Sequence, residues 1–353
     1  MAAKKSPYIA IGKRKIGADY PPFVIAEIGI NHNGDLKKAK RMIRDAKAVG
    51  AECVKFQGHV IEDEMVESEA RKTIPANADI SIWEIMKRCA LSAEQERELK
   101  KYAEGMGLIF LSTPFSRAAA DQLHKLGVKA FKIGSGECNN YPLIEHVAKF
   151  RKPMIVSTGM NTILDIKKTV AILRKYKVPY ALTHCTNIYP TPFNRVYLHA
   201  IPKMQKTFPD AVVGLSNHSE GPWAALGAVA LGASVVERHF TSDRSWKGED
   251  IAVSMDPAEL RMIIEGTRAI WEARGDHKGP LKEEQPTIDF AFASVVTIAP
   301  IKKGEKLTMK NLWVKRPGTG EYHAREFKKL LGKRAARDIA ADVQLKKRDI
   351  SHV

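Results

Sequence analysis

Short apolar segments alternate with longer amphipathic segments between residue 20 and about residue 275. The apolar segments have the length and composition of buried strands, and eight are predicted: 23–30, 53–57, 108–114, 130–136, 153–159, 180–186, 212–217 and 235–240. Between them, apolar residues recur at three- and four-residue spacing, which predicts amphipathic helices over stretches such as 36–49, 93–106, 117–126, 163–176 and 223–231.

Eight strand–helix units in about 250 residues predict an α/β fold, the (β/α)8 TIM barrel. An open sheet of six parallel strands with two additional strands is the alternative. The segment 61–85 is too long and too polar for a plain connection. Insertions of this kind often act as lids or binding loops.

The alternation stops near residue 275, which predicts a domain boundary. Residues 1–275 form the barrel domain in this interpretation, and the charged, turn-rich stretch 276–289 is a linker. Residues 290–353 combine short apolar runs with turns, as expected for a small domain of short strands. Because about sixty residues bury only a small core, we expect this domain to lean on another surface, such as that of a second subunit.

The chain carries 57 basic and 40 acidic residues, a formal net charge of +17. Such an excess favours anionic partners, either nucleic acid or small anionic substrates. The basic residues do not form blocks interleaved with aromatic residues, which nucleic-acid binding would favour. A solvated basic surface is therefore the preferred interpretation, with no nucleic-acid partner.

The sequence predicts a cytoplasmic protein without membrane association. No apolar run approaches the roughly 20 residues that a membrane span needs, and the first residues lack the apolar core of a signal peptide. The four cysteines lie far apart with no CxxC pair, so reduced, buried thiols are favoured over disulfides or a zinc site.

Polar residues occur at the carboxyl end of every predicted strand, where a TIM barrel gathers its active site. Residues two apart on a strand share a face. The polar residues at this rim are Glu27, Lys55, Gln57, Thr113, Lys132, Ser135, Glu137, Ser157, Asn187, Tyr189, Ser216, His218, Glu237 and His239. Taken singly, Thr113 and Ser157 are equally well explained as helix N-caps. An unpaired ammonium inside a barrel is costly, so Lys55 and Lys132 predict a bound phosphate or carboxylate.

His218 and His239 follow the ends of adjacent strands, whose axes lie about 4.8 Å apart. Either histidine alone is better explained as a core or capping residue. As a pair with carboxylates nearby, they predict a divalent metal site, and two imidazoles with oxygen ligands suit Mn²⁺. Such an ion can polarise a carbonyl group for attack.

The chain resembles the bacterial sialic acid synthase family over essentially its whole length. The motifs that carry the resemblance are AEIGINHNG (26–34), VKFQ (54–57), NADISI (77–82), LSTPFS (111–116), KIGSGE (132–137), STGM (157–160), HCTNIYP (184–190), GLSNH (214–218) and ERHF (237–240). The stretch NLWVKRPG (311–318) resembles the antifreeze-like (SAF, β-clip type) domain of that family. The resemblance thus implies a TIM barrel followed by a small antifreeze-like domain.

The resemblance implies an N-acetylneuraminate synthase, which condenses phosphoenolpyruvate with N-acetylmannosamine and water and releases phosphate by C–O cleavage. The implied phosphoenolpyruvate-binding residues are Lys55, Thr113, Lys132, Ser135, Ser157, Asn187 and Ser216. The implied sugar-binding residues are Glu27, Gln57, Asn77, Tyr189, Asp250, Phe290 and Arg316. The implied catalytic residues are Glu27, Glu137, Lys55 and Lys132, and His218 and His239 would hold Mn²⁺ or another divalent cation such as Mg²⁺ or Co²⁺. Arg316 would reach over from a partner subunit, which implies a domain-swapped homodimer.

Two departures from the family pattern bear on the acceptor sugar. Gly58 replaces a usual threonine, which would remove a hydroxyl group next to the sugar-side residues, and the loop 245–250 is unusually bulky and charged. A legionaminate- or pseudaminate-type synthase with a diacetamido-sugar acceptor is therefore the alternative. An aldolase with a Schiff base at Lys132 and a non-catalytic carbohydrate- or ice-binding protein are further alternatives.

Overall fold

An antiparallel hairpin begins the first unit of the computed structural model, which describes residues 6–351. Its strands are β1 (Tyr8–Ile11) and β2 (Arg14–Gly17). The side chains of Ile9, Ile11 and Ile16 are buried and pack with inward-facing residues near the start of the barrel strands, among them Ile25 and Leu111. The hairpin, which the sequence pattern did not predict, therefore closes the amino-terminal end of the barrel.

Eight parallel strands form the barrel: β3 (Phe23–Gly29), β4 (Cys53–Gly58), β5 (Ile109–Pro114), β6 (Phe131–Ile133), β7 (Met154–Ser157), β8 (Tyr180–Cys185), β9 (Val212–Asn217) and β10 (Val235–His239). They pair in the order β5-β4-β3-β10-β9-β8-β7-β6, and β5 also packs beside β6, so the sheet is nearly closed. The predicted TIM barrel is confirmed, and the open six-stranded sheet is wrong.

Eleven α-helices accompany these strands within the described residues of the first unit: α1 (Leu36–Ala48), α2 (Ile61–Glu64), α3 (Glu67–Ala70), α4 (Ile82–Cys89), α5 (Ala93–Gly105), α6 (Arg117–Leu126), α7 (Tyr141–Ala148), α8 (Ile163–Lys175), α9 (Ala200–Thr207), α10 (Trp223–Ala230) and α11 (Pro257–Ala273). Side-chain caps begin many of them, as at Ser92 and Thr162. The insertion after β4 contains α2, α3 and the start of α4.

Apolar side chains fill two layers of the barrel unit. One layer lies between strands and helices and includes Phe56, Phe131 and Leu182, and the other lies inside the barrel above the hairpin. The barrel strands are buried almost throughout because helices cover one face and the interior covers the other. This packing leaves their carboxyl ends as the place where polar groups collect.

The second unit begins at Asp276 and has a core of its own. Its elements are α12 (Gln285–Ala291), β11 (Ser294–Thr297), β12 (Leu312–Lys315) and α13 (Phe327–Leu330), with β11 antiparallel to β12. The helix α12 crosses residue 290, where the sequence pattern placed the start of the small domain. Pro286 suits its first turn, and the Gly318 amide donates to the Asp289 carbonyl. Among the described helices of the chain, none is long and apolar enough to cross a membrane.

Candidate active site

A cavity of about 200 Å³ opens at the carboxyl ends of the barrel strands. Thirteen of the residues implied by the sequence line it: Glu27, Lys55, Gln57, Thr113, Lys132, Ser135, Glu137, Ser157, Asn187, Tyr189, Ser216, His218 and His239. The remaining four, Asn77, Asp250, Phe290 and Arg316, do not. Parallel strands thus bring polar residues from all eight barrel segments into one place.

Four buried charges lie at the base of this cavity. Lys55 Nζ lies 2.8 Å from Glu27 Oε2 and 3.8 Å from Glu237 Oε1. Lys132 Nζ lies 3.3 Å from the same Glu237 oxygen. Carboxylates of the chain thus already pair with both lysines, so burial of the lysines does not by itself require a further anion, and the bound phosphate or carboxylate stays a prediction. Glu237 is the residue that sequence reasoning left without a role, although it shares a strand face with His239.

Burial and pairing shift the pKa values of these groups in different directions. Burial raises the pKa of Glu27 to about 7, against the opposing pull of Lys55. Burial also lowers the pKa of Lys132. Burial alone would lower the pKa of Lys55, but the carboxylates of Glu237 and Glu27 outweigh it, and the pKa is raised. Burial alone would raise the pKa of Glu237, but Lys132 and Lys55 outweigh it, and the pKa is lowered. With Glu27 partly protonated near neutral pH, the cluster tends towards a net positive charge, which suits an anionic ligand.

Hydroxyl and amide groups surround the two ammonium groups. Lys55 donates to Thr113 Oγ1 at 3.0 Å, and Lys132 donates to Ser157 Oγ at 2.6 Å. Ser216 donates to Glu237 Oε1 at 3.2 Å. The hydroxyls of Thr113 and Ser157 are therefore engaged with the lysines inside the barrel and do not cap helices.

The turn after β6 carries Ser135 and Glu137. The strand was expected to continue to residue 136, but β6 ends at Ile133, and the amide of Glu137 donates to the Gly134 carbonyl in a turn. Ser135 Oγ accepts the Gly159 amide at 3.1 Å. Burial raises the pKa of Glu137 to about 7, and its Oε2 has no hydrogen-bond partner among the described residues. This carboxyl group is therefore positioned to exchange a proton near neutral pH.

His218 and His239 face each other across the cavity, with ring centroids 5.5 Å apart. Burial lowers the pKa of His218 to about 4 and that of His239 to about 3, so both imidazoles are neutral. His218 Nδ1 donates to the Thr186 carbonyl at 3.0 Å, which leaves Nε2 with its lone pair. The Tyr189 ring lies 4.0 Å from the ring of His218.

The two histidines fit a site with few protein ligands. His239 Nδ1 is buried without a hydrogen-bond partner in the described part of the chain, and Asp250 Oδ2 lies 3.5 Å from it. Within residues 6–351, no three His, Cys, Asp or Glu side chains converge as a ready metal site. Neutral imidazoles with a lone pair are the form that binds metal, so the pair suits a divalent ion whose other ligands come from water or substrate.

The loop 243–254 places Asp250 beside this site without filling the cavity. Two cations of α1 lie over its Trp246 ring, Lys38 at 5.1 Å and Arg41 at 5.2 Å from the ring centroid. Glu249 pairs with Arg88 of α4 at 2.7 Å, and the Glu249 carbonyl accepts from Asn77 Nδ2 at 3.1 Å. The bulk of the loop thus packs on α1 and α4, and Asn77 serves here to hold the loop.

The expectation that Gly58 removes a hydroxyl group from the sugar side is wrong. A Cβ atom at Gly58 would lie 3.2 Å from Glu96 Oε1 and 3.6 Å from a methyl group of Leu123. Because side chains alternate along β4, Gln57 faces the cavity and residue 58 faces the helix layer. The glycine therefore changes the packing behind the strand.

Phe290 and Arg316 belong to the second unit. The Arg316 guanidinium lies 5.8 Å from the centroid of the Phe290 ring, and 68% of Phe290 is exposed. These two residues form a cation–π pair within their own unit. The four cysteines are free and buried, as the sequence predicted, and Cys185 lines the barrel cavity.

Known proteins resemble this chain in sequence and in fold. The chain matches the NeuB family over residues 42–279 and the SAF domain over residues 292–351. It is 37% identical over 332 residues to N-acetylneuraminate-9-phosphate synthase of Homo sapiens, covering 93% of this chain and 92% of that protein. It is 39% identical over 328 residues to N,N'-diacetyllegionaminic acid synthase of Campylobacter jejuni, covering 90% and 97%.

A solved structure supports the same relationship. The crystal structure of N-acetylneuraminic acid synthetase from Leptospira borgpetersenii matches with a TM-score of 0.73 at 32% identity, covering 80% of this chain and 95% of that one. The resemblance drawn from the motifs is thus confirmed. The chain belongs to the NeuB family, the sialic acid synthases, with a barrel followed by a SAF domain.

Proposed function

We propose that this protein is an N-acetylneuraminate synthase, which condenses phosphoenolpyruvate with N-acetylmannosamine and water to give N-acetylneuraminate and phosphate. One observation carries the proposal: two buried lysines, two neutral histidines and a carboxyl group of raised pKa line one cavity. These are the groups that an anionic enol substrate, an aldehyde and an attacking water would need. Family membership and relatives that are named as synthases of such acids support it.

Phosphoenolpyruvate binds at the lysine cluster in this proposal. Lys55 and Lys132 supply positive charge, and the hydroxyls of Thr113 and Ser157 are already oriented by them. Ser135, Asn187 and Ser216 complete the ligand's surroundings with neutral donors. A cation cluster within a buried site holds a carboxylate and a phosphate more tightly than solvated side chains would.

His218 and His239 hold a divalent cation, Mn²⁺ or an ion such as Mg²⁺ or Co²⁺. When bound, such an ion polarises the aldehyde oxygen of the open-chain sugar. The chain's own contribution is to keep both imidazoles neutral and buried, and to orient His218 through the Thr186 carbonyl.

The condensation then takes place in three steps. The enol carbon of phosphoenolpyruvate attacks the aldehyde carbon, and Glu27 supplies a proton to the sugar oxygen. Water adds to the resulting oxocarbenium carbon while Glu137 accepts its proton. The C–O bond to phosphate then breaks as the new C2 hydroxyl becomes the keto group, and the hydroxyl proton leaves with the phosphate. Glu137 returns its proton to solvent and Glu27 takes one up, which restores both groups.

Gln57, Tyr189 and Asp250 face the acceptor sugar, with Asn77 close by. The carboxyl groups on this side of the cavity favour an uncharged acceptor. A legionaminate- or pseudaminate-type acceptor is the second candidate, because named relatives of 39% and 32% identity make those products. The cytoplasmic location stays a prediction.

The functional unit is a domain-swapped homodimer in this proposal, with Arg316 and Phe290 of one subunit contacting the sugar held by the other. The exposure of Phe290 and its cation–π pair with Arg316 support this role. About sixty residues with a small core also gain from a second surface.

Phosphate release tests the proposal. The purified protein with Mn²⁺ and phosphoenolpyruvate is assayed against N-acetylmannosamine, its 6-phosphate and diacetamido sugars. We expect release that depends on N-acetylmannosamine, and release only with a diacetamido sugar would favour the second candidate. Pyruvate turnover with a lysine adduct trapped by borohydride would instead indicate an aldolase and contradict both.

A further inference from the structure

His59 is a buried histidine outside the residues assigned so far. It follows β4 directly, and 7% of its surface is exposed. Its ring stacks on the Phe115 ring at 4.7 Å with an interplanar angle of 10°. Both ring nitrogens have partners, which fixes the ring in position.

Those partners link the insertion after β4 to the cavity. His59 Nδ1 lies 2.8 Å from Glu64 Oε2 on α2, and Nε2 lies 3.2 Å from Gln57 Oε1. The other end of the Gln57 amide, Nε2, donates to Glu27 Oε1 at 3.1 Å. A continuous chain of hydrogen bonds therefore runs from Glu64 through His59 and Gln57 to Glu27.

The Gln57 amide determines which ring nitrogen of His59 acts as the donor. Gln57 Nε2 donates to Glu27, so Gln57 Oε1 is the end that faces His59. An amide oxygen only accepts hydrogen bonds, so His59 Nε2 donates to it. The amide thus has a partner at each end, and the ring determines its orientation.

We propose that His59 is a positioning residue: held by Glu64 at Nδ1, it donates from Nε2 to Gln57 Oε1 and keeps Gln57 Nε2 directed at Glu27. The proposal rests on the proposed function, in which Gln57 and Glu27 meet the acceptor sugar. His59 does not touch substrate. Its loss should therefore weaken acceptor binding and leave phosphoenolpyruvate binding nearly unchanged.

The donor nitrogen is identified without any assay of activity. Nitrogen NMR of the histidine rings in the full-length protein, with His59 assigned by its absence in His59→Phe, reports whether each ring nitrogen carries a proton. We expect Nε2 of His59 to carry one. A His59 ring with its proton on Nδ1 alone would overturn the proposal.

Kinetics then test the positioning role. In Glu64→Gln we expect the acceptor KM to rise about tenfold, as for loss of one hydrogen bond, with the phosphoenolpyruvate KM within about twofold. Glu62→Gln, an exposed change of the same charge on the same helix, is the control. An unchanged acceptor KM, or equal changes for both substrates, would contradict the role. If the unchanged protein releases no phosphate, the proposed function fails, while the NMR result still decides which nitrogen of His59 is the donor.

Discussion

Gly159 has no space for a side chain because Asn187 occupies it. A Cβ atom at Gly159 would lie 1.8 Å from Asn187 Oδ1 and 2.8 Å from Ser135 Oγ. Both neighbours are proposed ligands of phosphoenolpyruvate. The glycine is therefore needed so that two loops can present their side chains to the same substrate.

We expect Gly159→Ala to raise the KM for phosphoenolpyruvate by about 10- to 100-fold, because a displacement near 1 Å at a binding group has effects of this size. Gly105→Ala is the matched control, since a Cβ atom there meets no atom within 4 Å. Steady-state kinetics on both variants check the prediction. Equal KM values would contradict the account of the Gly159 contact.

Glu137 should impose a pH dependence on turnover. Because its pKa is raised to about 7, the ionised form that accepts the proton of water accumulates only as the pH rises through this value. Glu27, whose pKa burial also raises to about 7, must hold a proton to act as the acid, so we expect kcat to pass through a maximum near pH 7. Glu137→Gln should lose the rise on the acid side of this maximum, together with at least about 100-fold in kcat. A pH–rate profile of both proteins measures this, and an unchanged rise in the variant would exclude Glu137 as the base.

The same carboxyl group should affect stability with a definite sign. Folding raises its pKa from 4.5 to about 7, so the folded protein holds the proton more tightly than the unfolded chain does. The stability of the unchanged protein relative to Glu137→Gln therefore falls as the pH rises through this interval. Urea unfolding at pH 5 and pH 8 compares the two, and an opposite trend would contradict the raised pKa.

Replacing His218 tests the metal proposal. His218→Ala removes one of two imidazole ligands, so we expect the affinity for Mn²⁺ to fall at least about tenfold and turnover to be lost. Equilibrium dialysis with Mn²⁺ measures the first effect. His277→Ala, an exposed histidine of the second unit, is the control. Near-normal turnover with unchanged Mn²⁺ content would refute the ligand role.

At the scale of elements, the eight barrel strands could be predicted because each is a short apolar run bounded by polar turns. The limits of the prediction appear at strand ends. The segment 130–136 is predicted as one strand, yet β6 ends at Ile133 because Gly134 begins a turn. The hairpin was missed because β1 and β2 are only four residues each, which is too short for a clear periodic pattern.

The hairpin should nevertheless matter for stability. Ile16 is fully buried at the amino-terminal end of the barrel, and we expect Ile16→Ala to lower the free energy of unfolding by about 3 kcal/mol through the cavity it leaves. Ile74→Ala, at a position that is 60% exposed, is the control. Urea unfolding followed by circular dichroism measures both. A change below about 1 kcal/mol for Ile16→Ala would show that the hairpin is not part of the core.

At the scale of the whole molecule, the chain divides after Gly275 into two units with separate cores. The sequence pattern indicated this division because the strand–helix alternation gives way to a charged, turn-rich stretch. In the proposed function, the second unit contributes Phe290 and Arg316 to the sugar site of a partner subunit, so a complete site requires two subunits.

Mixing inactive variants tests that contribution. Arg316→Ala keeps an intact barrel and His218→Ala keeps Arg316, so a mixed dimer would contain one complete site if Arg316 acts across subunits. After unfolding and refolding together in equal amounts, we expect about a quarter of normal activity, since half of the dimers are mixed and each has one of two sites. Activity no higher than that of the separate variants would contradict the domain-swapped arrangement.

The sequence by itself determined the barrel, its eight strands and most of the cavity residues. Apolar runs dictate where strands form, and parallel strands bring their carboxyl ends to one rim whatever the details of packing. The tertiary structure alone decided which groups meet there: Glu237 between the two lysines, Gly159 beneath Asn187, and Gly58 turned towards the helices. These contacts join residues that are distant along the chain, and side-chain packing sets their distances, so no pattern of neighbouring residues encodes them.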